Sequence, residues 1–192
     1  MQRRNEHLKL AIRTGTIQAF SISNQQEHEM ARLEDPTLLD LVDKVWDRRI
    51  PVDLADVAAR LGIRIEKIHP GPGADISGEA FIDEASRKVV RYNPSDVPER
   101  QRFTLAHEIG HHLLGHTKNG KHFRDNTRNF NSKVFDWNEY SANAFAAELL
   151  MPETAVSYFI EKRGINDLQE LAHHFQVSTV AMKYRLVNLG WL

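Results

Sequence analysis

Cysteine is absent from the 192 residues of this chain. Its absence excludes disulfide bonds and thiolate metal sites, so a metal ion would have to be held by histidine, aspartate or glutamate. An excess of one charge is also lacking, since the formal net charge is −1. A chain without a basic excess does not have the overall composition of a nucleic-acid-binding protein, although a local basic patch is still compatible with this balance.

Long apolar runs are missing as well. No window approaches the roughly 18 apolar residues that a transmembrane helix needs. The basic start MQRRNEHLKLAIRTGT has no apolar segment of the kind found in secretion signals. A cytoplasmic location without a membrane partner is therefore the expectation. Hydrophobic residues make up 41% of the chain and charged residues 27%, which is the usual balance of a globular protein.

Three stretches of different character divide the chain. Residues 1–30 are polar and rich in glutamine and asparagine, which indicates an arm with one short helix near Glu6–Ile12. Residues 31–165 mix helical and strand patterns, which predicts an α+β domain with a small antiparallel sheet. Residues 166–192 contain two short helical segments about a turn at Gln176–Ser178, which predicts a helix-turn-helix-like pair packed on the core.

Local signals predict the elements of the central domain. A helical period covers Leu33–Arg48, and a second helix follows with Asp53 as its N-cap and Gly62 after its last turn. Alternating patterns predict strands in IRIEKI, SGEAFID and RKVVRYN, the last two joined by a turn at Glu84–Ser86. Helices are then expected from Pro98 to about Gly115, over Trp137–Met151, and from Pro152 to near Gly164. Residues 117–136 are predicted to be a long polar connection.

The stretch LAHEIGHHLLGH places titratable side chains inside an apolar run. Within it, the pattern H-E-x-x-H falls on His107, Glu108 and His111. Residues four apart share one face of a helix, so both histidines can turn a nitrogen toward one metal ion. Glu108 lies about 100° further round the helix, where its carboxylate can reach a water held by that ion. This arrangement of two ligands and a general base is typical of zinc proteases.

The motif and its neighbouring histidines also allow other interpretations. The bare motif also occurs by chance on surface helices, but the apolar residues around it favour a half-buried helix and hence a site. His116 comes five residues after His111 (116 − 111 = 5), which does not match the metzincin pattern H-E-x-x-H-x-x-G-x-x-H. His112 points away from the metal face. His112 and His116 are therefore expected to be solvated or to lie behind the ligands.

A catalytic zinc site normally takes three protein ligands. The helix WNEYSANAFAAELLMP offers Glu139 and Asn143, which lie on one face of a segment rich in alanine, phenylalanine and leucine. Polar side chains in such a setting need buried partners. Glu139 as the third ligand, and Asn143 hydrogen-bonded to a ligand histidine, would satisfy both. Glu148, on a different face of the same helix, is the alternative third ligand.

The two helices together resemble the ImmA/IrrE family of metallopeptidases. The segments RQRFTLAHEIGHHLLGH and NEYSANAFAAELLMP are similar to that family's H-E-x-x-H helix and to its following glutamate helix, and the resemblance covers roughly residues 51–189. It implies a mainly helical, zincin-like core and a gluzincin-like centre with one zinc per chain. The ligands implied are His107, His111 and Glu139. Glu108 is the implied base.

The resemblance also implies a function. Members of the family typically cleave or control Xre-type helix-turn-helix repressors, so the expected activity is zinc-dependent peptide hydrolysis with such a repressor as partner. The alternative is a toxin or regulator of a toxin–antitoxin pair, which keeps the metal site but acts by binding a repressor, an antitoxin or DNA. DNA is not favoured, because the second C-terminal helix, about Thr179–Leu189, carries only Lys183 and Arg185 as basic residues.

Further features bear on substrate binding. The candidates for the donor that stabilises the oxyanion are Tyr140, Tyr158, His116 and His173. The predicted strands around Gly78–Asp83 and Lys88–Asn93 are expected to offer a sheet edge to an extended peptide. The loop Lys118–Lys133 carries five basic residues and one acidic residue, a surplus of 5 − 1 = +4. That surplus would suit an acidic partner or nucleic acid, or belong to a solvated loop.

Overall fold

A computed structural model describes residues 36–68, 76–117, 123–126 and 136–192, with residues 123–126 described by their backbone alone. Within these ranges the chain forms seven helices and four strands. The helices are α1 (Pro36–Val45), α2 (Leu54–Arg60), α3 (Pro98–Leu113), α4 (Trp137–Leu150), α5 (Glu153–Glu161), α6 (Leu168–Phe175) and α7 (Thr179–Asn188). The strands are β1 (Ile63–Lys67), β2 (Ile76–Ile82), β3 (Lys88–Tyr92) and β4 (Phe123–Asn126). The predicted α+β class, mainly helical with a small sheet, is confirmed. The sheet was predicted to be antiparallel, but it is mixed, because β1 pairs with β3 in parallel.

Short-range signals set the ends of several helices. The side chain of Asp53 caps α2 by accepting hydrogen bonds from two backbone amides, and Gly62 follows with a φ of 65°, as predicted. The hydroxyl of Ser178 caps α7 by accepting a hydrogen bond from the backbone amide of Ala181. The helix predicted over Leu33–Arg48 ends early, at Val45, and Arg48 has a positive φ that a helix cannot continue through.

The four described strands form one mixed sheet in the order β1-β3-β2-β4. β1 runs parallel to β3, while β2 is antiparallel to both β3 and β4. β2 and β3 therefore lie inside the sheet, and the expectation that they offer a free edge is wrong. β1 pairs with the outer side of β3, and β4, which lies in the stretch 117–136 predicted to be a connection, pairs with the outer side of β2. The four residues of β4, FRDN, are too few and too polar to show a strand period.

One apolar core joins the described helices and the sheet. Buried side chains of α1, α2, α3, α4 and α5 meet Ala80 of β2 and Val90 of β3 in a single cluster. The C-terminal helix pair belongs to the same cluster, through Leu171, Phe175 and Leu186. The predicted pair is thus present and packed on the core, while its status as a separate module beginning at residue 166 stays a prediction.

The close approach of α3 to α4 positions the site. Gly110, in the middle of the H-E-x-x-H motif, faces α4: a Cβ atom added there would lie 2.9 Å from Cδ1 of Phe145 and 3.4 Å from the carbonyl oxygen of Ala142. Only a residue without a side chain allows the two helices this separation. The other side of α3 packs on β2 and β3.

Some predictions lie outside the described residues. These include the short helix near Glu6–Ile12, the character of the arm, and the side chains of the basic loop Lys118–Lys133. Among the helices that the structure describes, none has the length and apolar character needed to cross a membrane.

Candidate metal centre

The two motif histidines meet Glu139 where α3 and α4 approach each other. His107, His111 and Glu139 each offer one ligand atom, and these atoms lie within 4.8 Å of one another. The two Nε2 atoms are 2.9 Å apart, and oxygens of Glu139 lie 3.2 Å from that of His107 and 3.6 Å from that of His111. A tetrahedral zinc ion with bonds of about 2.0–2.1 Å separates its ligand atoms by roughly 3.3 Å. The spacing suits an ion of that size.

Asn143 determines which nitrogen of His107 carries the proton. Nδ1 of His107 lies 3.0 Å from Oδ1 of Asn143. Because an amide oxygen only accepts hydrogen bonds, Nδ1 donates, and the neutral ring keeps a lone pair on Nε2. That lone pair is on the atom that faces His111 and Glu139. The predicted contact of Asn143 with a motif histidine is therefore present in the geometry.

His111 is fully buried behind His107. Burial lowers the pKa of its imidazole to about 2, and the neighbouring His107 and His116 act in the same direction. A neutral ring is what a metal ligand requires. Two imidazoles and one carboxylate form a nitrogen and oxygen donor set that suits zinc and related transition-metal ions. The residues present therefore fit the metal that the motif implies.

Glu108 lies between α3 and the sheet with no exposed surface. A Cβ atom added to Gly78 of β2 would come within 2.8 Å of Oε1 of Glu108 and 2.3 Å of Cγ2 of Thr104. The missing side chain at residue 78 therefore leaves the space beside the carboxylate of Glu108. This role of Gly78 was not predicted from the sequence. The available signal was a glycine inside a strand pattern, which marks a close approach.

The other two histidines of the stretch have different surroundings. His112 is buried, with Nδ1 3.0 Å from Oγ1 of Thr117 and Nε2 2.9 Å from the carbonyl oxygen of Val89. It points away from the cluster, as predicted, but it is not solvated, because it links the end of α3 to β3. His116 lies behind His111, with 3.0 Å between their Nδ1 atoms. Burial lowers the pKa of both His112 and His116.

Glu148, the alternative third ligand, is engaged elsewhere. One of its oxygens forms an ion pair with Arg185, and the other accepts a hydrogen bond from the backbone amide of Glu153 at 3.2 Å. It takes no part in the histidine cluster, because it faces α7. The prediction that Glu148 and Glu139 occupy different faces of α4 agrees with these contacts.

The candidates for the oxyanion donor are spread over several elements. Tyr158 is on α5 with half of its surface exposed, and His173 is on the exposed side of α6. Neither helix supplies a ligand atom to the cluster. The ring of Tyr140 contacts that of Trp137, with centroids 5.8 Å apart, and His116 is directed at His111. The identity of the donor stays a prediction.

Comparison with known proteins places these residues in a wider context. Residues 58–187 match the family model of a peptidase family, described as the IrrE N-terminal-like domain. The chain is 36% identical over 145 residues to the radiation response metalloprotease IrrE of Deinococcus radiodurans, which covers 70% of this chain and 43% of that protein. A Mycobacterium tuberculosis transcriptional regulator shares a TM-score of 0.42 and 15% identity, over 96% of this chain and 48% of its own. The chain spans less than half the length of either protein.

Proposed function

The chain belongs to the family of IrrE-type metallopeptidases, and from that premise we propose that it is a zinc-dependent endopeptidase. The observation that carries the proposal is the meeting of His107, His111 and Glu139 at ligand spacing. Three protein ligands leave the fourth position of a tetrahedral ion for water or substrate, as catalysis requires. A site built only to stabilise the fold would be expected to have all four positions filled by side chains.

The residues of the site divide the work between them. His107, His111 and Glu139 would hold the ion, which supplies a Lewis acid and a water of lowered pKa when bound. Glu108 would accept a proton from the attacking water and deliver it to the leaving nitrogen of the scissile peptide. Its burial beside Gly78 restricts the positions that its carboxylate can take.

The proposed substrate is a helix-turn-helix repressor of the Xre type, on the basis of the family resemblance of the two motif helices. An extended segment of it would pair with β4, which is an outer strand of the sheet formed by the described residues. β4 is the neighbour of β2, and Gly78 of β2 is in register with Asp125 of β4. Since adjacent strands lie about 4.8 Å apart, this edge is one strand away from the strand that packs on Glu108. The edge role thus moves from β2 and β3 to β4.

The test is incubation of the zinc-loaded protein with a candidate repressor, followed by mass spectrometry of the products. We expect one discrete cleavage in the wild type and none in Glu108→Gln, which should keep its fold and about one zinc per chain. His107→Ala should lose most of the zinc, because two remaining ligands hold the ion poorly. Zinc loss in Glu108→Gln would mean that Glu108 is a ligand and that its assignment as the base is wrong.

The same experiment distinguishes the proposed endopeptidase from the alternative, a regulatory binding module. A wild-type protein that carries zinc and binds the repressor tightly, but leaves it intact, would contradict the endopeptidase proposal. That outcome would favour the regulatory binding module of a toxin–antitoxin pair.

A further inference from the structure

His116 and Ser141 form a second layer behind the metal centre. His116 lies in the turn that follows α3, and Ser141 lies on α4, two residues after Glu139. Nδ1 of His116 is 3.0 Å from Nδ1 of His111, and its Nε2 is 3.4 Å from Oγ of Ser141. The chemistry proposed above uses neither residue.

The hydrogen bonds of Ser141 determine which atom donates and which accepts between Ser141 and His116. Its Oγ lies 2.8 Å from the carbonyl oxygen of Trp137 and 3.1 Å from that of Asn138. Carbonyl oxygens only accept, so the single hydroxyl proton is directed to the backbone. Toward His116 the hydroxyl can then only accept, and Nε2 of His116 must carry the ring proton.

The position of the proton on His116 in turn determines the position of the proton on His111. A neutral His116 with its proton on Nε2 has a lone pair on Nδ1. Across the 3.0 Å contact, Nδ1 of His111 must therefore donate. This leaves a lone pair on Nε2 of His111, which is the atom that faces His107 and Glu139. An opposite proton arrangement would place a hydrogen where the ion is expected.

From this inventory we propose that His116 and Ser141 are positioning residues, which set the tautomer and orientation of His111 for metal binding. The inference rests on the proposed function, because it concerns the same ion. It differs from a packing role in that a particular proton arrangement is required, and outer partners that fix the tautomer of a ligand histidine raise its affinity for metal.

Both ligand histidines are anchored to the same helix. Asn143 holds the outer nitrogen of His107, and Ser141 holds that of His111 through His116. Since Glu139 is also on α4, this one helix supplies the third ligand and both anchors. Displacement of α4 from α3 would therefore disturb all three ligands together.

The experiment measures metal binding rather than hydrolysis. Apoproteins are titrated with zinc in competition with a chromophoric chelator, and with Co²⁺, whose visible absorption reports the coordination geometry. The variants are His116→Ala, His116→Asn, Ser141→Ala and Ser141→Thr. Ser157→Ala, a half-buried serine on α5, is the matched control. Circular dichroism establishes that each variant is folded.

We expect His116→Ala to weaken zinc binding about 10- to 100-fold and to alter the Co²⁺ absorption. His116→Asn should recover part of the loss, because its amide oxygen can accept the proton of His111. Ser141→Ala should have a smaller effect in the same direction, since its contact is longer. Ser141→Thr keeps the hydroxyl and should bind zinc as the wild type does, as should Ser157→Ala.

Wild-type affinity and absorption in both His116→Ala and Ser141→Ala would overturn the proposal. Equal loss in Ser141→Ala and Ser141→Thr would also overturn it, because the hydroxyl would then not be the cause. If His116→Ala does not fold, the two variants of Ser141 decide. A wild type that binds no zinc would contradict the proposed function, whereas a zinc-binding wild type with unaffected variants would contradict the positioning role alone.

Discussion

Helix α4 carries two glutamates, nine residues apart (148 − 139 = 9), whose surroundings are opposite in kind. The carboxylate of Glu139, with a third of its side chain exposed, lies beside the imidazoles of His107 and His111. That of Glu148, almost fully buried, meets the guanidinium of Arg185. Near the start of the helix the carboxylate lies against imidazole nitrogens, whereas near its end the carboxylate pairs with an arginine.

The two sets of partners separate a carboxylate proposed to bind a metal ion from one that is paired within the fold. Arg185 neutralises Glu148 and also donates to the carbonyl oxygen of Met151 at 2.9 Å, which ties α7 to the end of α4. The buried pair is complete by itself. Glu139 lies instead among imidazole nitrogens, a donor set that suits the proposed metal ion.

Replacement of Glu139 should produce the largest change in metal binding. Glu139→Ala removes the only charged ligand, so zinc affinity should fall by more than about 100-fold, a larger loss than an outer partner causes. The unfolding free energy of the apoprotein should change little, because the carboxylate is partly solvated. Zinc titration together with urea unfolding of the apoprotein measures both quantities.

Asn143→Ala provides a graded comparison within the same site. Loss of the Asn143 amide should weaken zinc binding about 10- to 100-fold, which is the usual effect of removing a side chain that orients a metal ligand. If Glu148→Ala weakened zinc binding more than Glu139→Ala, the assignment of the third ligand would be wrong.

Replacement of Glu148 should affect the stability of the fold. Glu148→Gln leaves Arg185 buried without its counter-charge, so the free energy of unfolding should fall by about 3–5 kcal/mol. Zinc affinity of the folded fraction should stay near that of the wild type. Chemical denaturation of the apoprotein tests this, and a Glu148→Gln, Arg185→Met double variant should recover much of the loss. An unchanged stability in Glu148→Gln would contradict the structural role of the pair.

Gly110 tests whether the two helices must approach closely for the cluster to form. Gly110→Ala places a methyl group 2.9 Å from Phe145, and overpacking of this kind costs about 1–3 kcal/mol. Because the helices would be pushed apart, zinc affinity should fall together with stability. Addition of Phe145→Leu should restore part of both, measured as a double-mutant cycle. Loss of stability with unchanged zinc affinity would show that the site tolerates the displacement.

The smallest expected effect is on the exposed face of the sheet. A hydrogen bond from Arg91 lowers the pKa of Glu66 below its ordinary 4.5, against the opposing effect of burial. The ionised carboxylate therefore stabilises the fold above about pH 4.5, and this contribution is lost as the pH falls through the lowered pKa. Glu66→Gln should cost less than about 1 kcal/mol at pH 7.

Urea unfolding of wild type and Glu66→Gln at pH 7 and about pH 3 checks the sign of this linkage. The difference between them should shrink at the lower pH. Glu161→Gln, on the exposed side of α5, is the control and should show little difference at either pH. A difference between wild type and Glu66→Gln that grows on acidification would contradict the prediction.

Much of the fold could be predicted from signals between residues that are close in the sequence. The cap at Asp53, the turn at Glu84–Ser86 and the helix over Trp137–Leu150 depend on residues a few positions apart, and all appear in the structure. β4 was not predicted, because a short and mostly polar segment becomes a strand only through pairing with β2. The burial of His112 was missed for a related reason, since its partner Val89 is 23 residues away.

The sequence by itself determined that His107 and His111 share a helix face, because that relation follows from the helical repeat alone. The sequence also limited the candidates for the third metal ligand to two glutamates on one helix, Glu139 and Glu148. The tertiary structure decided which of them lies beside the histidines, since Glu148 pairs with Arg185 while the close contact at Gly110 brings Glu139 to His107 and His111. Contacts of this kind depend on how distant segments pack, and that packing is an energy balance over the whole core rather than a local pattern.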